Sequence, residues 1–253
     1  DGLLFVTQRQ DAEVRVHGPD GELQRRIGRS GEGPGEFKYV DMARVHPAGD
    51  TIVVIGDPRL SVLTTTLDEI RSTARSVRSP RGMLVLRDGS ILIVDPRARQ
   101  PIQAEGFVLH ETSATGEYVR SFRAAESTPA GGAWPLAFGY EEGTVWLIQP
   151  QASGFVAEQW HLSDGRRVRQ LRVDPDWWVA ESETPLHYEQ VAQRGESVPR
   201  LPTGTVGAWD TGTHLWVALR HFDPDHVNDT FADYEPHDMF DGVLVAVDRT
   251  SGD

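Results

Sequence analysis

Ile91-Leu-Ile-Val94, Phe107-Val-Leu-His110, the turn Ser113-Ala-Thr-Gly116 and Tyr118-Val-Arg-Ser-Phe122 hold the whole pattern of the chain in one copy. Two short apolar strands flank a polar linker, a tight turn follows, and the next strand alternates apolar and polar with the period of two that one wet face requires. Met83-Leu-Val-Leu86 stands ahead of them across the turn Arg87-Asp-Gly89, which makes a unit of four strands. Upstream, Ala43-Arg-Val-His46, Thr51-Ile-Val-Val-Ile55, Leu60-Ser-Val-Leu63 and Ile70-Arg-Ser-Thr73 repeat it, and before them Leu3–Thr7, Ala12–His17 and Leu23–Ile27. Downstream come Leu136-Ala-Phe138, Thr144–Ile148, Phe155–Trp160 and Val168–Val173, then Val206–Trp209, His214–Ala218 and Gly242–Val247. A hairpin unit recurring every ~40–50 residues marks a β-propeller, in which each small sheet buries its faces only against its neighbours. The expected class is all-β, one propeller domain over residues 1–253.

About eighteen strands result, and two are missing from the four-strand scheme. The first unit has no inner strand, and the last stops at Asp253 on the turn that should lead to its outer strand. Propellers close by letting one terminus complete the other's blade, which removes open edges. The simplest expectation is a six-bladed type, with about five blades represented and the native product continuing beyond Asp253; an unusual five-blade closure is the alternative. Two insertions break the rhythm, at 175–202 and 221–241. In the first, Thr184 as N-cap, Pro185 and Gly195 outline a short helix, and Trp177-Trp178 would pin the segment to the propeller.

Composition narrows the function classes. A net charge of −13 disfavours nucleic acid and anionic lipid as partners. Zero cysteines exclude disulfides, thiolate nucleophiles and Cys-based zinc sites. No apolar run approaches the ~18–20 residues that span a bilayer. The chain begins at Asp1 without Met, which reads as a processed or trimmed chain; loss of a signal peptide, itself not visible in the sequence, is one such reading, and a periplasmic or extracellular location is expected.

Gly28-Arg-Ser-Gly-Glu-Gly-Pro-Gly-Glu-Phe37 closes one unit and opens the next. It lacks the Gly-Lys-Ser/Thr ending of a phosphate-binding loop and no helical pattern follows, so its glycines are expected to serve an inter-blade crossing. This run, followed by strand–turn–strand units at Ala43–Ile55 and Met83–Val94, resembles NHL-repeat and related bacterial six-bladed β-propeller proteins. The resemblance implies the fold and an extracytoplasmic or interaction-module role; it carries no catalytic residues over.

Among candidate sites, His221–Asp241 holds seven carboxylates, three histidines and no Lys or Arg. Asp223, Asp225 and Asp229 are the candidate metal ligands, and an oxygen-rich set suits calcium. The spacing fails the EF-hand loop, because the sixth position from Asp223 is Asn228 and the twelfth Tyr234. A solvated acidic loop and a transition-metal site remain alternatives, and no other cofactor is expected. Trp177, Trp178, Phe231, Tyr234 and Phe240 are the candidate partner-binding residues, because exposed aromatics near connections favour interface centres. Trp146, Trp160 and Trp216 sit within strands and are expected in the core.

No Gly-x-Ser-x-Gly elbow exists, and paired acids such as Glu141-Glu142 lie at turns. The expected function is therefore a non-enzymatic extracytoplasmic propeller, a protein-interaction or accessory subunit of a multi-subunit complex, membrane-associated if at all through that partner. The alternative is a calcium-dependent hydrolase of the six-bladed lactonase or glycosidase type. That would need acids, His or Asn where the inner strands begin, near Met42-Ala43, Gly82-Met83, Pro135-Leu136 and Thr205-Val206, and those starts are nearly devoid of them.

Overall fold

The computed structural model describes residues 2–8, 11–33, 35–57, 59–64, 69–74, 80–96, 98, 105–124, 135–139, 141–151, 153–178, 203–222 and 240–250. Among them lie eighteen strands in five antiparallel sheets and no helix. The chain divides into two compact units, Asp1–Ser127 and Thr128–Asp253. The first holds β1 (Leu4–Gln8), β2 (Glu13–His17) and β3 (Leu23–Ile27); β4 (Tyr39–Val45), β5 (Thr51–Asp57), β6 (Arg59–Thr64) and β7 (Glu69–Ala74); and β8 (Gly82–Val85), β9 (Ile91–Val94), β10 (Phe107–Thr112) and β11 (Tyr118–Ala124). The second holds β12 (Leu136–Phe138), β13 (Thr144–Gln151), β14 (Gly154–His161) and β15 (Arg167–Val173), then β16 (Gly204–Asp210), β17 (His214–Phe222) and β18 (Phe240–Asp248). Each sheet pairs strands in sequence order, so every sheet is a meander. The first and last sheets have three strands, and the other three have four, as the repeat predicts.

Strand β5 shows why some middle strands read as unbroken apolar runs. Successive side chains point to opposite faces. Ile52 and Val54 join one core with Val14, Val16, Phe37 and Val40. Val53 and Ile55 join another with Met83, Val85, Ile91 and Ile93. Both faces are covered, so no position on the strand is left for a polar residue, and each such side chain contributes about 1.5–3 kcal/mol by burial.

The glycine run is the crossing between the first and second sheets, as expected. Phe37 is its wedge, 1% exposed. Its N–H donates to the Arg29 carbonyl at 2.9 Å and its carbonyl accepts from Gly31 N–H at 3.1 Å. Gly28 has φ +86°, and a Cβ there would stand 2.9 Å from the Ala12 carbonyl oxygen and 3.0 Å from the Phe37 ring. A Cβ on Gly56 would meet the same ring at 2.5 Å. The ring therefore requires glycine on both sides. Glu36 accepts from Gly33 N–H at 2.7 Å, so that amide is satisfied within the loop.

Two inner strands start earlier than the sequence suggests. β4 begins at Tyr39, opposite Asp57, and β16 at Gly204, opposite Arg220. In both, a bulge (between Val40 and Met42, and between Thr205 and Gly207) absorbs one residue and disguises the alternation.

Candidate docking site at the roots of two insertions

In the unit Thr128–Asp253, Trp146, Ile148, Phe155, Ala157 and Leu171 of the fourth sheet pack with Leu215, Val217, Leu219 and Val247 of the fifth. Trp146 and Trp160 are buried, as expected. Trp216 departs from expectation: it is half-buried and stacks on Trp209 at 6.1 Å with 4° between the planes. The alternation that sends Leu215, Val217 and Leu219 into the shared core turns Trp216, with its cross-strand partner Trp209, to the opposite face.

Trp177 and Trp178 follow β15 and lie half-buried against that core. The Trp178 indole N–H donates to the Gln151 carbonyl at 3.1 Å, and its ring tilts on Phe155 at 6.1 Å. Trp177 meets the His221 ring edge-on at 5.2 Å and 77°. His221 Nδ1 lies 3.0 Å from Thr203 Oγ1. Across the ladder His221 pairs with Asp241, and Phe222 with Phe240.

These contacts gather both insertions at one place. The first leaves after Trp178 and returns at Thr203; the second leaves after Phe222 and returns at Phe240. The sequence assigns Trp177, Trp178 and the His221–Asp241 stretch to one partner-facing surface; the fold joins the roots of the two segments through Trp177, His221 and Thr203. Neither Thr203 nor the His221 contact carried a sequence signal, because the approach depends on β14–β15 and β16–β17 pairing. Asp223, Asp225, Asp229, Phe231 and Tyr234 lie outside the described residues, as does the helix outlined by Thr184 to Gly195. Phe240 opens β18. Among the described residues no group of three or more His, Asp or Glu is placed to hold a metal ion.

The other end of the same strands is clasped by charge. Arg249, 4% exposed at its side chain, bonds both carboxylate oxygens of Glu141 and lies 3.5 Å from Asp210, whose side chain is fully buried. Asp210 also accepts from the Trp146 indole at 2.7 Å and from Gly212 N–H at 2.8 Å. Gln159 donates to Glu141 at 2.7 Å. The Arg249 guanidinium beside it, foremost, lowers the Glu141 carboxyl to about 2. Glu141, read from sequence as a turn acid, is thus an anchor between the fourth and fifth sheets.

Charge is distributed unevenly. Asp1–Ser127 has seventeen basic and eighteen acidic residues, net −1, whereas Thr128–Asp253 has eight and twenty, net −12. Residues 179–202 and 223–239, which leave from the Trp177–His221 cluster, hold ten acids and two arginines.

No family model matches the chain. No curated protein matches it either. Solved structures do. A chain of Kuenenia stuttgartiensis hydrazine synthase superposes with TM-score 0.56 at 11% identity, over 99% of this chain and 61% of that one. A Bacteroides fragilis protein carrying the provisional description "exported protein" gives 0.58 at 13%, over 97% and 69%. A chain of a nidogen/laminin complex gives 0.57 at 14%, over 96% and 79%. At such identities the likeness shows the fold: this is an all-β protein with a β-propeller fold, with five blades among the described residues. The chain spans 61% of the hydrazine synthase chain's length.

Proposed function

We propose that this chain is a non-enzymatic, extracytoplasmic propeller of the NHL-like, six-bladed type that serves as an interaction or accessory subunit of a larger assembly. The observation that carries the reading is the convergence of both insertion roots on Trp177, Trp178, His221 and Thr203. A rigid sheet pair holds this point, and function on rigid scaffolds sits in the loops that leave them. The strongly acidic balance of Thr128–Asp253 supports a partner with basic groups, whose binding weakens as salt rises. The nidogen/laminin likeness supports assembly, and the likeness to a protein described as exported supports a location outside the cytoplasm.

The test is co-purification of the native complex, at low and high salt, with the Trp177→Ala, Trp178→Ala double variant and with a deletion of residues 227–236. Partner recovery falls in both variants while the sheets stay folded by circular dichroism, and in the wild type it falls with salt. Undiminished recovery in both variants places the partner surface elsewhere and refutes the reading.

A further inference from the structure

In the third sheet, His110 of β10 stands opposite Ser121 of β11 on one side and opposite Ile93 of β9 on the other. Ser121 Oγ lies 2.7 Å from His110 Nδ1, and His110 Nε2 lies 2.9 Å from the Asp95 carbonyl oxygen. A carbonyl only accepts, so Nε2 carries the ring proton and Nδ1 is the acceptor. The serine hydroxyl therefore donates to the ring. The Tyr118 hydroxyl donates to the same Ser121 Oγ at 3.0 Å, which takes up one lone pair and leaves the serine proton aimed at Nδ1. His110 is 1% exposed and its neighbour Ile93 0%; burial lowers the histidine pKa from the ordinary 6.5, so the ring is an unprotonated base at neutral pH. Ser121 is half-buried, on the outer strand of a complete four-stranded sheet.

The repeat does not ask for this pair. Counted from the ladder ends Arg59↔Ala74 and Phe107↔Ala124, the same rung of the second sheet is Val62↔Arg71. There a valine faces an arginine. In the third sheet a buried imidazole stands in that place, where both of its nitrogens need partners, and both have them. The next rung, Glu111↔Arg120, is an ion pair at 2.7 Å that alternates to the opposite face, so neither charge competes for the ring.

We propose that Ser121 is an acyl-accepting nucleophile, with His110 as its general base and the Asp95 carbonyl holding that base in the correct tautomer. Nucleophile, base and orienting group stand within hydrogen-bond reach of one another, the arrangement that activates a serine. The substrate class is an activated ester of a small carboxylic acid. Ser121 Oγ attacks the acyl carbon while its proton passes to His110 Nδ1. The Oγ–acyl bond forms, the ester C–O bond breaks, and the imidazolium returns the proton to the departing alcohol. The product is an acyl-serine, with nothing oxidised or reduced. The inference goes beyond the interaction reading: it gives that subunit a covalent modification site, requires no turnover, and stands without the insertion roots.

The probe is 4-nitrophenyl acetate, incubated with the full chain near pH 7, with the acetylated positions mapped by peptide mass spectrometry. Ser163, whose hydroxyl lies 3.0 Å from His161 Nδ1 in an exposed turn, is the internal control. Ser121 is expected to acetylate about tenfold or more faster than Ser163 or any other serine. His110→Gln supplies an amide but no base, and is expected to slow Ser121 about a hundredfold. Hydrogen exchange of the β9 and β11 amides shows whether the sheet of that variant is intact. The wild type provides a second readout that needs no variant: the Ser121 rate levels off above about pH 6.5, where a buried histidine base is fully deprotonated. Three results would overturn the proposal: acetylation without preference for Ser121, a wild-type Ser121 rate that keeps climbing from neutral into alkaline pH as an unassisted hydroxyl's does, or an undiminished rate in folded His110→Gln.

Discussion

The junction between the first and second sheets and the junction between the fourth and fifth solve one packing problem by different physics. In the first, Phe37 is driven between the sheets and the backbone is cleared for it at Gly28 and Gly56. In the second, an apolar core is closed at its end by Arg249, held between Glu141 and the buried Asp210. A shape-based junction is indifferent to pH and salt but intolerant of volume change. A charge-based one tolerates neighbours' reshaping but fails if one partner is removed, because the other is left buried and unpaired. Similar blades can therefore be joined by junctions with different sensitivities, and the unit with the larger net negative charge is the one that carries the insertion roots.

The largest effect should come from emptying the wedge. Phe37→Ala is expected to cost about 4 kcal/mol, since the cavity is lined by backbone and cannot collapse. The loss is read by hydrogen exchange in β2 and β5. Arg249→Met is expected to cost somewhat less, about 3 kcal/mol, by stranding Asp210 and the Trp146 indole contact. All seven tryptophans lie in Thr128–Asp253, so tryptophan fluorescence during urea unfolding reports this unit selectively. A shift of the exchange signal but not of fluorescence in Phe37→Ala, and the reverse in Arg249→Met, would sharpen the contrast; identical shifts in both readouts would break it.

Acid should separate the units more gently. In the first unit, His110 is buried between Ser121 Oγ at 2.7 Å and the Asp95 carbonyl at 2.9 Å, and burial lowers its pKa from the ordinary 6.5. A histidine so depressed contributes stability that is present above the unfolded value and lost as pH falls below about 6.5. Glu141, lowered to about 2, contributes stability present above about 4.5 and lost as pH falls through that range toward 2. Exchange of β10 amides should therefore begin to accelerate at a higher pH than the tryptophan transition moves. His110→Gln should flatten the first dependence and Glu141→Gln the second. A common midpoint for both probes, unchanged in either variant, would contradict the assignment.

Much of the fold was legible because the repeat is local. Strand alternation and turn residues are short-range signals, and all five units were placed by them. Bulges hid the starts of β4 and β16, since one extra residue reverses the apparent face of everything before it. The site was legible only in pieces. Trp177 and Trp178 stood out as aromatics in a connection, but the contact of Trp177 with His221 is a product of sheet pairing between distant segments. Arg249 gave no signal at all: it sits in a turn, where an arginine is ordinarily solvated, and is buried only because Glu141 and Asp210 arrive from other strands. Trp216 was misplaced for the reason that any strand residue can be, because alternation fixes the faces but not which face is covered.

The most direct test of the account is zero-length carbodiimide coupling within the native complex, which joins carboxylates of this chain to lysines of whatever it binds. The two units offer nearly equal numbers of acidic residues, eighteen in Asp1–Ser127 and twenty in Thr128–Asp253, so abundance does not bias the outcome. The account predicts coupled peptides concentrated in Thr128–Asp253 and lost when salt is raised. Coupling concentrated in Asp1–Ser127 would contradict it.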